Sequence, residues 1–259
     1  MLGMNQKHRP LIVGNWKMNP ATVSAAKTLF ADTGKALGRK KYDVDIVAAP
    51  PFPFISDMQR LPAHKQIKLA AQDVFSEPAG SYTGEVSLSM LKSVGVTYTI
   101  NGHSERRKLG ETDEDVYKDV QASIKSGVVT LVCVGEKKRD SNGNYFNIVE
   151  QQIHSAVRDI PKSKLKRLVI AYEPVWAIGT GMIPTAEDIL EMKLFIQKVL
   201  SDHFGRPASN TVRILYGGSV NKKNAEEILS QGGVDGFLIG GASLRGKEFA
   251  DIVKIASNV

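Results

Sequence analysis

Residues 168–181 read LVIAYEPVWAIGTG, and this stretch decides the fold class. Its first five residues form a short apolar run, which is typical of a parallel strand buried on both faces. Glu173 follows, and Pro174 biases the backbone of this acid towards extended conformations. The glycines at 179 and 181 permit a loop that closes tightly. Glu-Pro alone would fit a strand ending in a solvated turn, but the whole stretch predicts a carboxylate at a strand end beside a closing loop.

Seven more apolar runs alternate with helical patterns along the chain. The expected strands are 11–16, 45–49, 67–72, 97–101, 128–134, 168–172, 212–216 and 236–239, and the clearest expected helices are 21–37, 113–126, 146–158, 185–204 and 222–231. Thr185 and Asp188 resemble a capping box, and Gly127 and Gly205 suit helix C-caps. Eight strand–helix units predict an α/β protein with a closed (β/α)8 barrel. The rival is a doubly wound open sheet, which is weakened because no G-x-G-x-x-G follows the first strand.

Length and composition are compatible with one such barrel. The chain has 259 residues, and single barrels of about 250 residues are common. Without a composition shift or linker, we expect a single domain over 1–259, with 1–9 as a flexible lead-in. The apolar runs are too short to span a membrane, and the start lacks the apolar region of a signal peptide. Cys133 is the only cysteine, which fits a reducing, cytoplasmic location.

The chain carries a net charge of +7 and has a pI near 9.3. Such a charge can attract a polyanion or steer a small anionic substrate towards its site. The basic clusters lie at 39–41, 137–139 and 162–167, and aromatic residues are not interleaved with them. Solvated surface is therefore the favoured interpretation, and no nucleic-acid partner is expected.

Chemistry in a barrel resides where the strands end at their carboxyl tips. The six informative tips read GNWKMN at 14–19, GHSERR at 102–107, CVGE at 133–136, Glu173, YGGS at 216–219 and LIGGAS at 238–243. Together they supply an amine, an imidazole, a carboxylate and two double-glycine turns. This set suits acid–base chemistry on a phosphorylated substrate, with the phosphate held by backbone N–H groups after strands seven and eight.

Each of these groups also has an ordinary structural interpretation. Lys17 alone would be a surface lysine, and His103 alone a hydrogen-bonded structural histidine. Glu105, Arg106 and Arg107 could form an ion-pair network without a chemical role, which we favour for both arginines.

Two further residue types bear on the chemistry. Cys133 is best interpreted as a small buried hydrophobe near the site rather than a nucleophile. The five histidines are scattered, and none pairs with another at a zinc-ligand spacing, so no metal site is expected.

Taken in order, five motifs are similar to the triosephosphate isomerase family along essentially the whole chain. They are NWKMN at 15–19, GHSERR at 102–107, AYEPVWAIGTG at 171–181, YGGS at 216–219 and GGAS at 240–243. The resemblance implies a (β/α)8 barrel, normally a homodimer, that needs no cofactor. It also implies interconversion of dihydroxyacetone phosphate and D-glyceraldehyde 3-phosphate by proton transfer through an enediolate.

The resemblance further assigns roles to individual residues. Glu173 would be the base, His103 the electrophile at the carbonyl oxygens, Lys17 a fixed positive charge and Asn15 a hydrogen-bonding group. The implied substrate-binding residues are Asn15, Lys17, Gly179, Ser219, Gly240 and Gly241, and the implied lid comprises Ile178, Gly179, Thr180 and Gly181. Thr83, in the loop 79–85, would reach the partner subunit near its Asn15 and Glu105, although this loop also fits an ordinary surface turn.

Three positions depart from the family's usual pattern. Asn101 stands where an apolar residue is common, and a regular strand would place it on the same side as His103. Asp73 replaces a common asparagine near the expected dimer loop. Pro184 lies at the C-terminal hinge of the lid, where it cannot offer an N–H to a latch. These changes leave every expected catalytic group in place, but they bear on lid closure and dimer strength.

Two other functions remain open from the sequence. Another phosphosugar barrel, such as a sugar-phosphate aldolase or a phosphoribosyl isomerase, would share the phosphate turns. An aldolase needs a Schiff-base lysine or a metal, and only Lys17 lies at a strand tip. The other alternative is a basic scaffold that binds polyanions without catalysis, which would show salt-sensitive binding.

Overall fold

The computed structural model describes residues 8–178, 180 and 182–259, so Gly179 and Gly181 of the expected lid lie outside the described residues. Eight parallel strands pair in chain order and close into a barrel, which confirms the predicted fold class and excludes the open sheet. They are β1 (Leu11–Asn15), β2 (Asp45–Ala49), β3 (Lys68–Ala71), β4 (Val96–Asn101), β5 (Val129–Val134), β6 (Leu168–Tyr172), β7 (Arg213–Tyr216) and β8 (Gly236–Ile239). Each bound lies within one residue of the expected strand.

Helices surround the barrel. The α-helices are α1 (Val23–Leu37), α2 (Phe52–Gln59), α3 (Leu88–Ser93), α4 (Ser104–Lys108), α5 (Asp113–Ser126), α6 (Asn144–Val157), α7 (Ala186–Phe204), α8 (Arg206–Ser209), α9 (Ala225–Ser230) and α10 (Gly246–Ala256). Short 3-10 helices lie at Pro62–Lys65, Lys162–Arg167 and Gly241–Leu244. Among the described residues, no helix is both long enough and apolar enough to cross a membrane.

The strands are apolar on both faces because each face has its own core. Inside the barrel, side chains such as Val13, Ile100, Leu131 and Leu215 pack against one another. The outer faces pack against the helices in a second and larger apolar layer. This double burial explains why the sequence shows dense apolar runs rather than strict alternation.

The predicted helix-end signals are confirmed. Thr185 and Asp188 form a reciprocal capping box at the start of α7, with the Thr185 N–H donating to the Asp188 carboxylate at 2.9 Å. Gly127 ends α5 in the left-handed conformation at φ 84°, which glycine adopts without strain. These ends fix where α5 and α7 begin and stop relative to the barrel.

Two expectations about local structure were wrong. Asn101 does not share a side with His103, because Gly102 lies between them at φ +73° and interrupts the strand's alternation. The Asn101 amide instead donates to Thr130 on β5 at 2.8 Å, and its Oδ1 has no hydrogen-bond partner. The lead-in is not free as far as residue 9, because the Arg9 guanidinium donates to two backbone carbonyls of the segment before β2, at 3.0 Å each.

Candidate active site

A cavity of about 260 Å³ opens at the carboxyl ends of the strands. Its walls come from the tips of β1, β4, β6, β7 and β8, as expected for the functional end of a barrel. The lining includes Asn15, Lys17, His103, Glu173, Ile178, Gly217, Gly218, Ser219, Val220, Asn221, Gly240, Gly241, Arg245 and Glu248. The structure therefore brings together Asn15, Lys17, His103, Glu173, Ser219, Gly240 and Gly241, which the sequence predicted to meet.

Glu173 lies directly after β6 and is only 2% exposed. Its backbone N–H donates to the Val134 carbonyl at 2.8 Å, which ties the residue to the neighbouring strand β5. The carboxylate accepts from the Ser104 N–H at 2.9 Å and from the Ser104 hydroxyl at 3.3 Å. Gly217 lies against its side chain: a Cβ added there would come within 3.0 Å of the Glu173 Cγ. The buried carboxylate is thus held by hydrogen bonds and by close packing.

His103 is the N-cap of α4, and its ring is oriented by the start of that helix. The Nδ1 atom accepts from the Glu105 backbone N–H at 3.2 Å. A ring nitrogen that accepts carries no proton, so the proton of the neutral imidazole resides on Nε2. Nε2 lies 3.1 Å from Glu173 Oε1. The imidazole and the carboxylate therefore form a contact pair with the imidazole as donor.

Lys17 adopts a left-handed backbone conformation at φ 53°, the only non-glycine residue to do so among those described. This uncommon conformation is fixed by two hydrogen bonds: the Lys17 N–H donates to Asn15 Oδ1 at 3.0 Å, and its carbonyl accepts from Gln72 at 2.9 Å. The ammonium lies 2.7 Å from Glu105 Oε1. Burial would raise the pKa of Glu105, but Lys17 holds it below its ordinary value, so the Glu105 carboxylate stays ionised at neutral pH.

The two double-glycine turns also line the cavity. Gly241 begins a 3-10 helix, and the first N–H groups of a helix have no intrahelical partner. At Gly240 an added Cβ would lie 3.2 Å from the Lys17 Cε, so the absence of a side chain lets the lysine approach the turn. The β7 turn is anchored by the Gly217 N–H, which donates to the Tyr172 carbonyl at 2.7 Å. Backbone donors and one ammonium therefore line the same wall.

The described part of the lid segment begins with a tight turn after Glu173. The Ile178 N–H donates to the Pro174 carbonyl at 3.2 Å, and the Thr180 hydroxyl donates to the Ala177 carbonyl at 3.0 Å. Ile178 lines the cavity, whereas Thr180 is exposed. The segment is therefore anchored at the Glu173 side and borders the cavity.

The remaining sequence interpretations have clear outcomes. Cys133 is fully buried inside the barrel, and burial raises the pKa of its thiol, with Glu173 adding to the effect. It therefore stays a neutral thiol, as a structural residue would. Arg106 and Arg107 do form ion pairs, as expected, but with Asp73 at 2.7 Å and Asp113 at 2.5 Å rather than with Glu105.

Sequence reasoning left three contributors to the site without a role. Ser104 holds the Glu173 carboxylate, Gln72 fixes the Lys17 backbone, and Gly217 makes room for Glu173. Ser104 and Gly217 lie inside motifs at strand tips, so their position was a usable signal. Gln72 carries no such signal, because its contact depends on how the ends of β1 and β3 meet.

The fold and this cavity define a (β/α)8-barrel enzyme with a carboxylate, an imidazole and an ammonium at the carboxyl ends of its strands. The family model for triosephosphate isomerase matches residues 10–256.

Comparison with individual proteins identifies the same family. The chain is 42% identical over 248 residues to the triosephosphate isomerase of Trichlorobacter lovleyi, and 41% identical over 248 residues to that of Fusobacterium nucleatum. It is 39% identical over 247 residues to that of Alkaliphilus oremlandii. Each comparison covers 95% of this chain and 98% of the relative. The chain belongs to the triosephosphate isomerase family, and it is accordingly an isomerase.

Proposed function

We propose that Glu173, His103, Lys17 and Asn15 carry out the isomerisation of triose phosphates in this cavity. The reaction interconverts dihydroxyacetone phosphate and D-glyceraldehyde 3-phosphate by moving one proton between adjacent carbons. The observation that carries the proposal is the 3.1 Å contact between Glu173 Oε1 and His103 Nε2 at the mouth of the barrel. This contact joins a proton acceptor to a hydrogen-bond donor at one point of a phosphate-sized cavity.

In this proposal Glu173 removes the proton. A base must come within hydrogen-bonding reach of the proton it abstracts, and here the carboxylate is bonded to Ser104 at the side of the cavity. It must therefore leave Ser104 and turn towards the substrate. Closure of the lid would move the carboxylate, because the lid segment begins at Pro174, the residue directly after Glu173. Enclosing the carboxylate also removes water, which strengthens its interactions with the substrate.

His103 would stabilise the charge that develops when the proton leaves. The Nε2–H that now points at Glu173 becomes the donor to the substrate's carbonyl oxygen when the carboxylate turns away. A neutral imidazole suits this task, since Nδ1 accepts from the Glu105 N–H and Nε2 is left as the donor. Preorganised donors of this kind lower the barrier because they need no reorientation during the reaction.

Lys17 and Asn15 would hold and polarise the substrate. Asn15 Oδ1 is occupied by the Lys17 N–H, so the Asn15 amide presents its N–H groups to the cavity. The Lys17 ammonium lies beside the Gly240 turn, where it would add positive charge near the phosphate. Backbone N–H groups of Ser219, Gly240 and Gly241 would bind the phosphate oxygens, with Gly179 contributing from the lid. No step requires a cofactor.

An assay with D-glyceraldehyde 3-phosphate tests the proposal and separates it from its rivals. We expect conversion to dihydroxyacetone phosphate with no added metal or cofactor, and uptake of solvent deuterium at the exchanging carbon in D2O. Cleavage or condensation of phosphosugars without isomerisation would favour an aldolase. Salt-sensitive polyanion binding with no turnover would favour a binding scaffold.

We also propose that the protein acts as a homodimer through the loop 79–85. Two features support this. The loop is exposed, with Tyr82 45% exposed despite its contact with Phe75. Large apolar side chains are also exposed after β1 and β4, at the carboxyl end of the barrel: Met18 at 94%, beside Lys17, and Leu109 at 81%, at the end of α4. Exposed apolar surface of this kind is typical of protein interfaces.

Thr83→Asp tests the dimer, because it would bury a new charge at the contact. We expect sedimentation to show dissociation together with lower specific activity. A control substitution, Thr28→Asp on the exposed face of α1, should change neither. An intact, fully active Thr83→Asp dimer would contradict the proposal. A cytoplasmic location is also proposed, supported by the buried, unpaired thiol of Cys133.

A further inference from the structure

Three carboxylates from separate segments meet beside the expected dimer loop, outside the cavity described above. Asp73 follows β3, Glu111 lies between α4 and α5, and Asp119 projects from α5. One oxygen of each lies within 4.8 Å of the other two. We refer to these three residues as the acidic cluster.

The carboxylates of the acidic cluster are buried without enough donors. The Glu111 side chain is only 4% exposed, and its Oε2 has no hydrogen-bond partner. Asp73 Oδ1 is likewise buried without a partner. Asp119 is 7% exposed. A buried carboxylate oxygen without a hydrogen-bond donor destabilises the folded protein. A positively charged ligand bound between the three carboxylates would offset this cost.

The surrounding charges do not neutralise the cluster. Arg106 pairs with Asp73 at 2.7 Å, but it lies 3.9 Å from Glu111 and is 45% exposed. Glu85 adds a further negative charge near Asp73. Arg107 also lies near Glu111, but it is already paired with Asp113 at 2.5 Å, so two guanidiniums serve the three carboxylates and Asp113.

We infer that the acidic cluster binds a divalent cation of calcium size. Calcium takes carboxylate oxygens at 2.3–2.6 Å, so two oxygens that share one ion lie at most about 4.6–5.2 Å apart, and the three cluster oxygens lie within 4.8 Å of one another. Water can complete the coordination from the Asp73 side, since that side chain is 15% exposed.

This inference revises the expectation that the protein has no metal site. That expectation rested on histidine spacing, which identifies zinc ligands. Histidine spacing cannot reveal a site formed by carboxylates from three separate segments. The inference does not depend on the proposed reaction, because none of the three carboxylates lines the catalytic cavity.

Binding can be measured directly on the full chain after treatment with EDTA and removal of the chelator. We expect calorimetry with CaCl2 to give a dissociation constant of about 0.1–1 mM, the range of weak oxygen-ligand sites. Mn²⁺, followed by loss of its free-ion electron paramagnetic resonance signal, should compete for the same site. In thermal unfolding, 5 mM CaCl2 should raise Tm by about 3–5 °C, whereas NaCl of equal ionic strength should not.

Three variants assign the binding to the cluster. Asp119→Asn and Glu111→Gln keep the shape of the side chains and should each weaken binding at least tenfold. The control variant Asp251→Asn removes a partly exposed carboxylate on α10, and it should bind the cation like the wild type. Isomerase activity and circular dichroism verify that each variant is folded.

Two results would overturn the inference. The first is the absence of Ca²⁺ and Mn²⁺ binding at 5 mM in the wild type, as expected if a partner subunit's side chain supplies the positive charge. The second is unchanged binding in Asp119→Asn and Glu111→Gln, which would place the ion elsewhere.

Discussion

Gly217→Ala adds one methyl group beside the proposed base and measures how tightly that base is positioned. The new Cβ would lie 3.0 Å from the Glu173 Cγ and 3.2 Å from the Tyr172 carbonyl oxygen. Carbon atoms in contact prefer about 3.5–4.0 Å, so roughly 0.5–1 Å of movement is needed. The backbone at 217 cannot easily supply it, because its N–H is bonded to the Tyr172 carbonyl at 2.7 Å. The Glu173 side chain must therefore shift.

A shift of this size should lower kcat by about 10–100-fold, because an ångström of misplacement can cost about 100-fold in rate. KM should change less than kcat, since the phosphate-binding turn at Gly240 and Gly241 is untouched. The assay is steady-state isomerisation in both directions. In a Glu173→Gln background the same methyl group should have no further effect, because the base is already absent.

Normal kcat for Gly217→Ala, in a variant that unfolds at the wild-type temperature, would refute this reasoning. It would mean that the reactive position of Glu173 is too far from Gly217 for the methyl group to matter. An equal further loss in the Glu173→Gln background would refute it as well, because the methyl group would then act on another part of the site.

Two further predictions concern the lid and the barrel's other end. The family resemblance implies two hydrogen bonds that hold the closed lid, one from the backbone N–H at position 184 to the Tyr216 hydroxyl and one from another lid N–H to Ser219. Pro184 has no N–H, so the first cannot form here. Tyr216→Phe should therefore reduce kcat/KM less than Ser219→Ala, whose lost hydrogen bond should cost about 0.5–1.5 kcal/mol of transition-state stabilisation; the reverse order in steady-state kinetics would show that Tyr216 has another partner. Burial would raise the pKa of Asp45, but its hydrogen bond from Arg213 at 2.8 Å and nearby cations hold it below its ordinary value. Its contribution is therefore complete above about pH 4 and lost as pH falls through the lowered pKa. Asp45→Asn should cost about 1–3 kcal/mol at pH 7 and less at pH 3, and a cost independent of pH in urea unfolding would contradict the pairing.

The fold was predictable because the signals that define it are local. Each strand is a dense apolar run that two cores bury, so its bounds could be placed to within a residue. The meeting of the candidate catalytic groups in one cavity was predictable for a related reason: a parallel barrel gathers the carboxyl ends of its strands, so the residues that follow them lie close together.

What could not be predicted depends on backbone turns and on contacts between distant segments. Gly102 redirects the chain between Asn101 and His103, so strand alternation gave the wrong side for Asn101. The left-handed conformation of Lys17 gives no sequence signal, since lysine rarely adopts it. The acidic cluster joins residues 73, 111 and 119, whose proximity only the tertiary structure reveals.

The central claim is that the Glu173 carboxylate is the base, and Glu173→Asp tests it most directly. The variant keeps the charge but withdraws the carboxylate by one methylene from its place beside His103. Glu136→Asp is the matched control, since Glu136 is also fully buried after a strand but bonds Tyr172 and Arg139 outside the cavity. We predict that Glu173→Asp lowers kcat by about 100-fold or more with a small change in KM, whereas Glu136→Asp keeps kcat within a few-fold of the wild type. A kcat close to the wild-type value in folded Glu173→Asp would contradict the claim.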